Sequence, residues 1–323
     1  RDAQESRGLG DVYKRQKLYY VIPSFYISTM VGKESIFGDR TSITMEELQT
    51  IRDSMPEGTA LFSDITRDSF LYTMMNYCGS DFVDVSTGKC AFDTDNFVAM
   101  LAYAGELPVE YGEDYWGEDY WNNYESQYRE DRTLLDTISI SNIRDLNGTI
   151  NGVFGEDISF VGFPTDGDMG SVLWAGNRMY ALSAKSKNLD GAWEFLRYYL
   201  TQEYQDKIQE QEYNLPVLRS TFEKNVQDAT KKPYYTDENG NKVEYDETYY
   251  INGEEILLPQ LTQEQVDRIV SFVESVNKRG YYNEAISNII SEEAGAYFSG
   301  QKSARDVAGV IQSRVQVYVN ENR

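Results

Sequence analysis

Histidine is absent from all 323 residues. That gap removes Ser–His and Cys–His nucleophile pairs, imidazole general bases and histidine-ligated zinc together. Cysteine is nearly absent as well, and Cys78 and Cys90 are too few for a cysteine-built metal site or a disulfide scaffold. With eleven residues between them, they suit one bridge in an oxidising compartment as well as they suit two unpaired buried thiols. No apolar run approaches the roughly 18 residues that a membrane-spanning helix needs. Basic residues are scarce, 30 Lys plus Arg against 53 Asp plus Glu, for a net charge of −23. So acidic a surface repels phosphate backbones and anionic lipid, which argues against nucleic-acid and membrane-surface binding.

What is present is enough apolar material, 41% of the chain, to build two α/β lobes. The unusual feature is aromatic: 26 Tyr, 14 Phe and 4 Trp. Tyrosine offers a flat apolar face and a polar tip, which suits ligands that carry both C–H faces and hydroxyls. The same enrichment is common in acidic secreted proteins, so alone it selects no function.

Strands alternate with helices along the chain, which argues for an α/β fold. Leu18 to Pro23 reads as a strand. Thr44 and Glu47 form a capping box that opens a short helix, Ala60 to Phe62 reads as a strand, and helices follow over Thr66 to Tyr77 and Asp93 to Ala104. Glu110 to Asp131 contains a small duplication, YGEDYW then GEDYW, and reads as a surface helix or an ordered loop. Ile158 to Pro164 and Val172 to Ser183 read as strands around a loop at Gly167 to Ser171. Asn188 caps a helix, and another spans Gln202 to Glu210. Tyr234 to Leu258 reads as a meander with turns at Glu238–Asn241 and Asn252-Gly253. The Asp237, Asn239 and Asn241 oxygens do not make a calcium loop, because an EF-hand wants glycine at its sixth position and Gly240 is fourth. Thr262 and Gln265 form a second capping box, Tyr282 to Phe298 is helical, and Ser303 caps a last helix.

Phe160 to Tyr204, with ALSAKSKN and AWEFLRYYLTQEY, resembles the signature region of the family 1 extracellular solute-binding proteins of ABC importers. Glu292 to Glu321, with FSGQKSARDVA, resembles that family's C-terminal helical pair, and LYYVIPSFYISTMVGKES is similar to its first hinge crossing. The resemblance covers nearly everything from Lys17 onward. It implies a two-lobed periplasmic-binding-protein-like (type II) α/β fold, with residues 24–172 plus 259–323 as lobe 2. Residues 176–258 would then be the remaining part of lobe 1, which is incomplete because the leader and first strands are missing. A sheet deprived of its neighbours has unpaired edges and uncovered apolar faces, so this chain is expected to aggregate or open locally in lobe 1. Residues 1–16 have no apolar core of a signal peptide. Within them DVYKRQ resembles the translated mosaic end of a sequencing-library transposon, the alternative being a natural polar tail.

The family implies ligand capture between hinged lobes and delivery to the permease subunits of an ABC transporter, with no catalysis and no cofactor or metal. The ligand class it implies is a sugar or oligosaccharide. The protein would act as a monomer, lipid-anchored on the outer face of the cytoplasmic membrane or free in the periplasm. Trp174 is the leading candidate for a stacking platform, and a hinge-packing Trp is its alternative. Thr66 and Arg67 follow a strand whose loop would face the cleft, where Arg67 would fork onto paired hydroxyls or a carboxylate unless it forms a surface ion pair. Tyr26, Asp168 and Tyr281 are further candidates, with Tyr282 beside the last. Trp116 and Trp121 are left outside the site as rings of a surface helix. Two rival classes remain. A surface adhesion or sensor lipoprotein would bind glycan without a permease, and a glycoside hydrolase would need two carboxylates across one cleft, a pair nothing in the sequence singles out.

Overall fold

The computed structural model describes residues 20–322 apart from 85, together with the backbone of 13–14 and 17–18. The expectation for residues 1–16 therefore lies almost wholly outside the described residues. In chain order the principal elements are β1 (Ser24–Lys33), α1 (Met45–Ser54), β2 (Ala60–Phe62), α2 (Arg67–Phe82), α3 (Asp95–Glu106), α4 (Glu118–Arg129), β3 (Thr133–Ile140), β4 (Ile158–Ser159) and β5 (Val172–Ala175). They continue as α5 (Leu189–Tyr198), β6 (Leu215–Pro216), α6 (Arg219–Ala229), β7 (Tyr234–Thr236), β8 (Lys242–Glu244), β9 (Thr248–Ile251), β10 (Glu254–Leu257), α7 (Gln263–Ser275), α8 (Glu284–Phe298) and α9 (Ala304–Glu321). No helix among the described residues is long and apolar enough to cross a membrane.

The chain forms two compact units and passes from one to the other several times. Unit 1 comprises residues 1–28, 138–157 and 173–279, and unit 2 comprises 29–137, 158–172 and 280–323. Residues 138–157 and 259–279, assigned from sequence to the second lobe, cluster here with unit 1.

Unit 2 is built around buried helices. The capping boxes at Thr44 and Thr66 start α1 and α2, each satisfying two backbone donors that a helix start leaves orphaned. Along α2, Phe70, Leu71, Met74, Met75, Cys78 and Phe82 are all buried. The rings of Phe82, Phe92 and Phe97 meet with centroids 5.1–5.3 Å apart. From α9, Gln312 and Gln316 accept from the backbone N–H groups of Phe92 and Cys90 at 2.7 and 3.0 Å. Cys78 and Cys90 are not joined in a disulfide, and Cys78 donates to the Pro164 carbonyl at 3.4 Å. The strand β2 pairs parallel with the first half of β3, Ala60 with Thr133 and Phe62 with Leu135, while β4 pairs antiparallel with the end of β1.

In unit 1, β6 pairs antiparallel with the start of β1. A buried carboxylate, Glu212, accepts from Ser24 Oγ and from the Tyr204 hydroxyl at 2.6 Å each. A wide turn of π-helix at Gly148–Phe154 receives the Tyr249 ring, which lies where a Cβ on Gly152 would stand 2.8 Å from it.

Several expected elements differ from the structure for identifiable reasons. The strand expected at 18–23 starts instead at Ser24, directly after Pro23, which has no N–H for a ladder; Val21 makes only an isolated bridge to Tyr180. Of Ile158 to Pro164 only β4 enters a sheet. Phe160 to Pro164 is buried but turning, with Gly162 at φ +77°. The strand from Val172 stops at Ala175, and the next residue, Gly176, lies close on the backbone of Ser24 and donates to its carbonyl at 2.8 Å. The helix expected over 202–210 is two short pieces, Gln202–Gln205 and Ile208–Glu212. The expected meander is two separate hairpins, β7–β8 and β9–β10.

Candidate functional site

The parallel pair β2–β3 in unit 2 ends with two acidic residues. Beyond β2 the chain runs Ser63-Asp64-Ile65 before capping α2 at Thr66, and Asp64 takes a left-handed conformation at φ +55°. Aspartate tolerates that region better than most side chains. On β3, Asp136 follows Leu135, the partner of Phe62. The carboxyl ends of parallel strands are where open α/β folds receive ligands.

Over this edge lies the segment 111–128. Trp116, Tyr120, Tyr124 and Tyr128 recur every fourth residue, so the helical turn at Glu113–Trp116 and α4 bring them onto one stripe. Successive centroids along it are 5.0, 5.9 and 5.7 Å apart. Tyr115 meets Trp116 edge-on at 5.0 Å and stacks on Tyr111 at 4.1 Å. The row grades from wet to dry: Trp116 is 44% exposed and Tyr128 only 1%.

Hydrogen bonds fasten the row to the strand edge. Both oxygens of Asp64 are used: Tyr115 donates to Oδ1 at 2.7 Å, and Tyr120 donates to Oδ2 through a short bond. The Tyr111 hydroxyl donates to the Ile65 carbonyl at 3.2 Å, and Tyr128 shares a hydroxyl contact with Ser63 at 3.0 Å. Burial first, and then the Asp64 carboxylate, push the Tyr115 and Tyr120 phenols well above the ordinary tyrosine range. They therefore remain donors at any physiological pH. Burial pushes Asp136 up to about 6, against a weaker opposing pull from the Thr137 N–H. Burial first, and then the charge of Asp136, raises the phenols of Tyr124 and Tyr128.

The residues singled out from sequence fall in three places. Thr66 and Arg67 sit beside Asp64, but their side chains hold the loop. Thr66 Oγ1 accepts from the Ser69 N–H at 3.3 Å as the helix cap. The Arg67 guanidinium lies 4.7 Å from the centre of the Phe298 ring and donates to the Leu107 carbonyl at 3.4 Å. Tyr281 packs on Gly79, where a Cβ would come within 2.4 Å of the Tyr281 carbonyl oxygen. Gly79 lies about 18 Å along α2 from Arg67. Asp168 is exposed on a loop held by the Thr165 N–H to Ile43 O and the Gly170 N–H to Thr41 O. Phe163, at the start of that loop, stacks on Tyr77 at 4.2 Å. Trp174 and Tyr26 belong to unit 1, both half-buried on the paired strands β5 and β1. Val21 bridges Tyr180 antiparallel and the Gly176 N–H donates to Ser24 O, contacts that hold these two segments side by side.

The sequence reading passed over Asp64, Asp136, Tyr111, Tyr115, Tyr120 and Tyr124, and set Trp116 aside. The signal available was the four-residue spacing of rings across the YGEDYW–GEDYW duplication. The side chain of Trp121 is outside the described residues. Among those residues no group of His, Cys, Asp and Glu is arranged to hold a metal ion.

A family model described as bacterial extracellular solute-binding protein matches residues 6–234. A comparison with curated proteins finds no match. Among solved structures, a putative oligosaccharide periplasmic-binding protein from Synechococcus sp. MITs9220 is 13% identical with a TM-score of 0.56, over 98% of this chain and 78% of that one. The sugar-binding protein MalE from Xanthomonas citri is 11% identical with a TM-score of 0.55, over 96% and 73%. The GacH receptor of Streptomyces glaucescens GLA.O, solved unliganded and with acarbose, is 16% identical with a TM-score of 0.51, over 98% and 74%. At these identities the likeness is one of fold.

Proposed function

We propose a function from one premise: the chain belongs to the bacterial extracellular solute-binding protein family, and what it captures is a saccharide or oligosaccharide. The family is one of binding proteins, not enzymes. Capture would take place outside the cytoplasmic membrane, by a lipid-anchored or periplasmic monomer, for delivery to the permease subunits of an ABC importer. Its solved relatives include a receptor bound to acarbose and a sugar-binding MalE, which supports that ligand class.

The observation that carries the reading is the Tyr–Trp row fastened to Asp64. A pyranose ring presents an apolar C–H face that an aromatic ring covers, and a rim of hydroxyls that needs acceptors. Tyr115 and Trp116 supply exposed rings at the end of the row that is fastened to the Asp64 carboxylate. A hydroxyl donating to a carboxylate makes a charge-assisted bond, worth about 1.5–3 kcal/mol when water is excluded. Trp174 and Tyr26 are the corresponding proposal in unit 1, with Thr66, Arg67, Asp168 and Tyr281 as further contacts. The lobes in this reading are residues 24–172 plus 259–323 and residues 176–258.

A thermal-shift screen of neutral oligosaccharides, followed by calorimetry, tests this. At least one should bind, and Trp116→Ala should weaken it about tenfold, or roughly 1.4 kcal/mol, without lowering the melting temperature of the free protein. Binding unaffected by Trp116→Ala would remove the site from this face.

A further inference from the structure

Resting on the saccharide reading, we infer that Asp64 is the positioning residue of the aromatic platform: its carboxylate sets where Tyr115, Tyr120 and, through them, the Trp116 ring stand. Both carboxylate oxygens are taken by phenols, Oδ1 by Tyr115 at 2.7 Å and Oδ2 by Tyr120 through a short bond. The donors come from either side of Gly117, Tyr115 from the helical turn Glu113–Trp116 and Tyr120 from α4. One side chain therefore ties two elements to the loop after β2. The Trp116 side chain makes no hydrogen bond of its own among the described residues. Its ring instead meets those of Tyr111, Tyr115 and Tyr120 at 5.8, 5.0 and 5.0 Å, each nearly edge-on. Moving those phenols moves the ring of the row that is most open to a sugar.

Two features show that the rings need such a tie. The turn that carries Tyr115 and Trp116 has four residues and lies between Gly112 and Gly117. A single turn is not stable alone, and a glycine at either end gives it freedom to swing. Asp64 itself stands at φ +55°, where glycine carries no Cβ penalty and aspartate does. The backbone alone would be served better by glycine, so what aspartate adds at this position is its carboxylate. Tyr111 gives partial support, stacked on Tyr115 at 4.1 Å with its hydroxyl on the Ile65 carbonyl, but it holds one face of one ring. Holding the rings and accepting a ligand hydroxyl are separable tasks of one carboxylate, because each oxygen has more than one lone pair.

The experiment uses the full chain, with maltotriose and cellotriose as probes, calorimetry for binding and near-ultraviolet circular dichroism for the rings. Asp64→Gly removes the carboxylate and suits the left-handed backbone. Tyr115→Phe combined with Tyr120→Phe removes the two hydroxyls and keeps both rings. Each change is expected to weaken trisaccharide binding about tenfold, and the triple variant no more than about twofold beyond the weaker of the two, because the three groups act as one unit. Asp64→Asn keeps the backbone preference and one acceptor oxygen. It should fall between Asp64→Gly and the unmutated protein, and it covers the case of a misfolded glycine variant. The aromatic dichroism should drop in Asp64→Gly, and that drop should largely disappear in a Trp116→Ala background. If Asp64→Gly still costs its full factor when both hydroxyls are already gone, Asp64 meets the sugar directly. That result, or binding or dichroism indifferent to Asp64→Gly, overturns the inference and leaves the saccharide reading intact. Binding of neither trisaccharide to the unmutated chain counts against the saccharide reading itself, and the dichroism alone then decides whether Asp64 places the rings.

Discussion

Two helices, one from each unit, show how differently apolar side chains are covered in the two units. In unit 2, α2 buries Phe70, Leu71, Met74, Met75, Cys78 and Phe82 against other elements of the same unit. In unit 1, α5 buries only Leu196, while Leu189, Trp193, Phe195 and Tyr198 stay exposed, Phe195 at 63%. Met179 and Leu182, just before α5 in the chain, are exposed too. An apolar helical face is stabilised only by what covers it, since a helix of this length is marginal alone. The comparison teaches that unit 2 carries its own core, whereas the apolar arc of α5 has no cover among the described residues.

The largest effect expected from this contrast is in unit 2. Phe70 is fully buried, meets the Tyr103 ring at 5.1 Å and Phe62 at 5.8 Å, and so packs against the strand that leads into the Asp64 loop. Phe70→Ala should cost about 3–5 kcal/mol, read as a shift of the urea midpoint with an unchanged slope. A cost below about 1 kcal/mol would mean that unit 2 is no better packed than unit 1, and the comparison would fail.

A middle-sized effect should follow from Asp136. Burial raises its folded pKa to about 6, above the ordinary aspartate value of 3.8. Between those values the folded chain keeps a proton that the unfolded chain has released, so this group favours folding fully below about pH 4 and loses that advantage as pH rises through 6. Asparagine does not titrate. Asp136→Asn should therefore stabilise the protein by roughly 2–3 kcal/mol at pH 7 and by almost nothing at pH 4. Urea unfolding of both proteins at the two pH values checks this. An equal gain at both would show that the carboxylate is not strained by burial and that the strand edge is wetter than it looks.

What the sequence could reveal divides along similar lines. Signals confined to one helical turn were legible: Thr44 with Glu47, Thr262 with Gln265, Asn188 and Ser303 all cap helices as their spacing predicts. Strand ends were not, because burial and pairing are different things. Phe160 to Pro164 is as apolar as a strand and as buried as one, yet Gly162 turns it out of the ladder. The family's shared blocks reached the fold but not the site. Thr66 and Arg67 follow the loop of Asp64, while the groups hydrogen-bonded to Asp64 are tyrosines supplied from about fifty residues further on. Tyrosines facing solvent and tyrosines facing an aspartate look alike in a one-dimensional reading. What separates them is a long-range hydrogen bond to a residue in a left-handed turn, and neither leaves a local trace.

The smallest expected change in stability belongs to α5 and tests the comparison from its other side. Phe195→Glu replaces a 63% exposed ring that meets Tyr199 edge-on at 5.7 Å by a charge, so thermal stability should move by no more than about 1 kcal/mol. Solution behaviour should move further. Burying apolar area is worth about 25 cal/mol per Å², and the uncovered arc is the part of the molecule with most to gain from self-association. Size-exclusion chromatography at increasing concentration should show the unmutated protein in larger species or lost to the column, with Phe195→Glu shifted toward monomer. Hydrogen exchange should find the α5 amides opening at least a hundredfold more readily than those of α2, since local openings are easiest where few apolar contacts hold an element down. A monomeric profile with one sharp melt for the unmutated chain, joined to severe destabilisation by Phe195→Glu, would mean that the ring is covered after all and that the two units are equally complete.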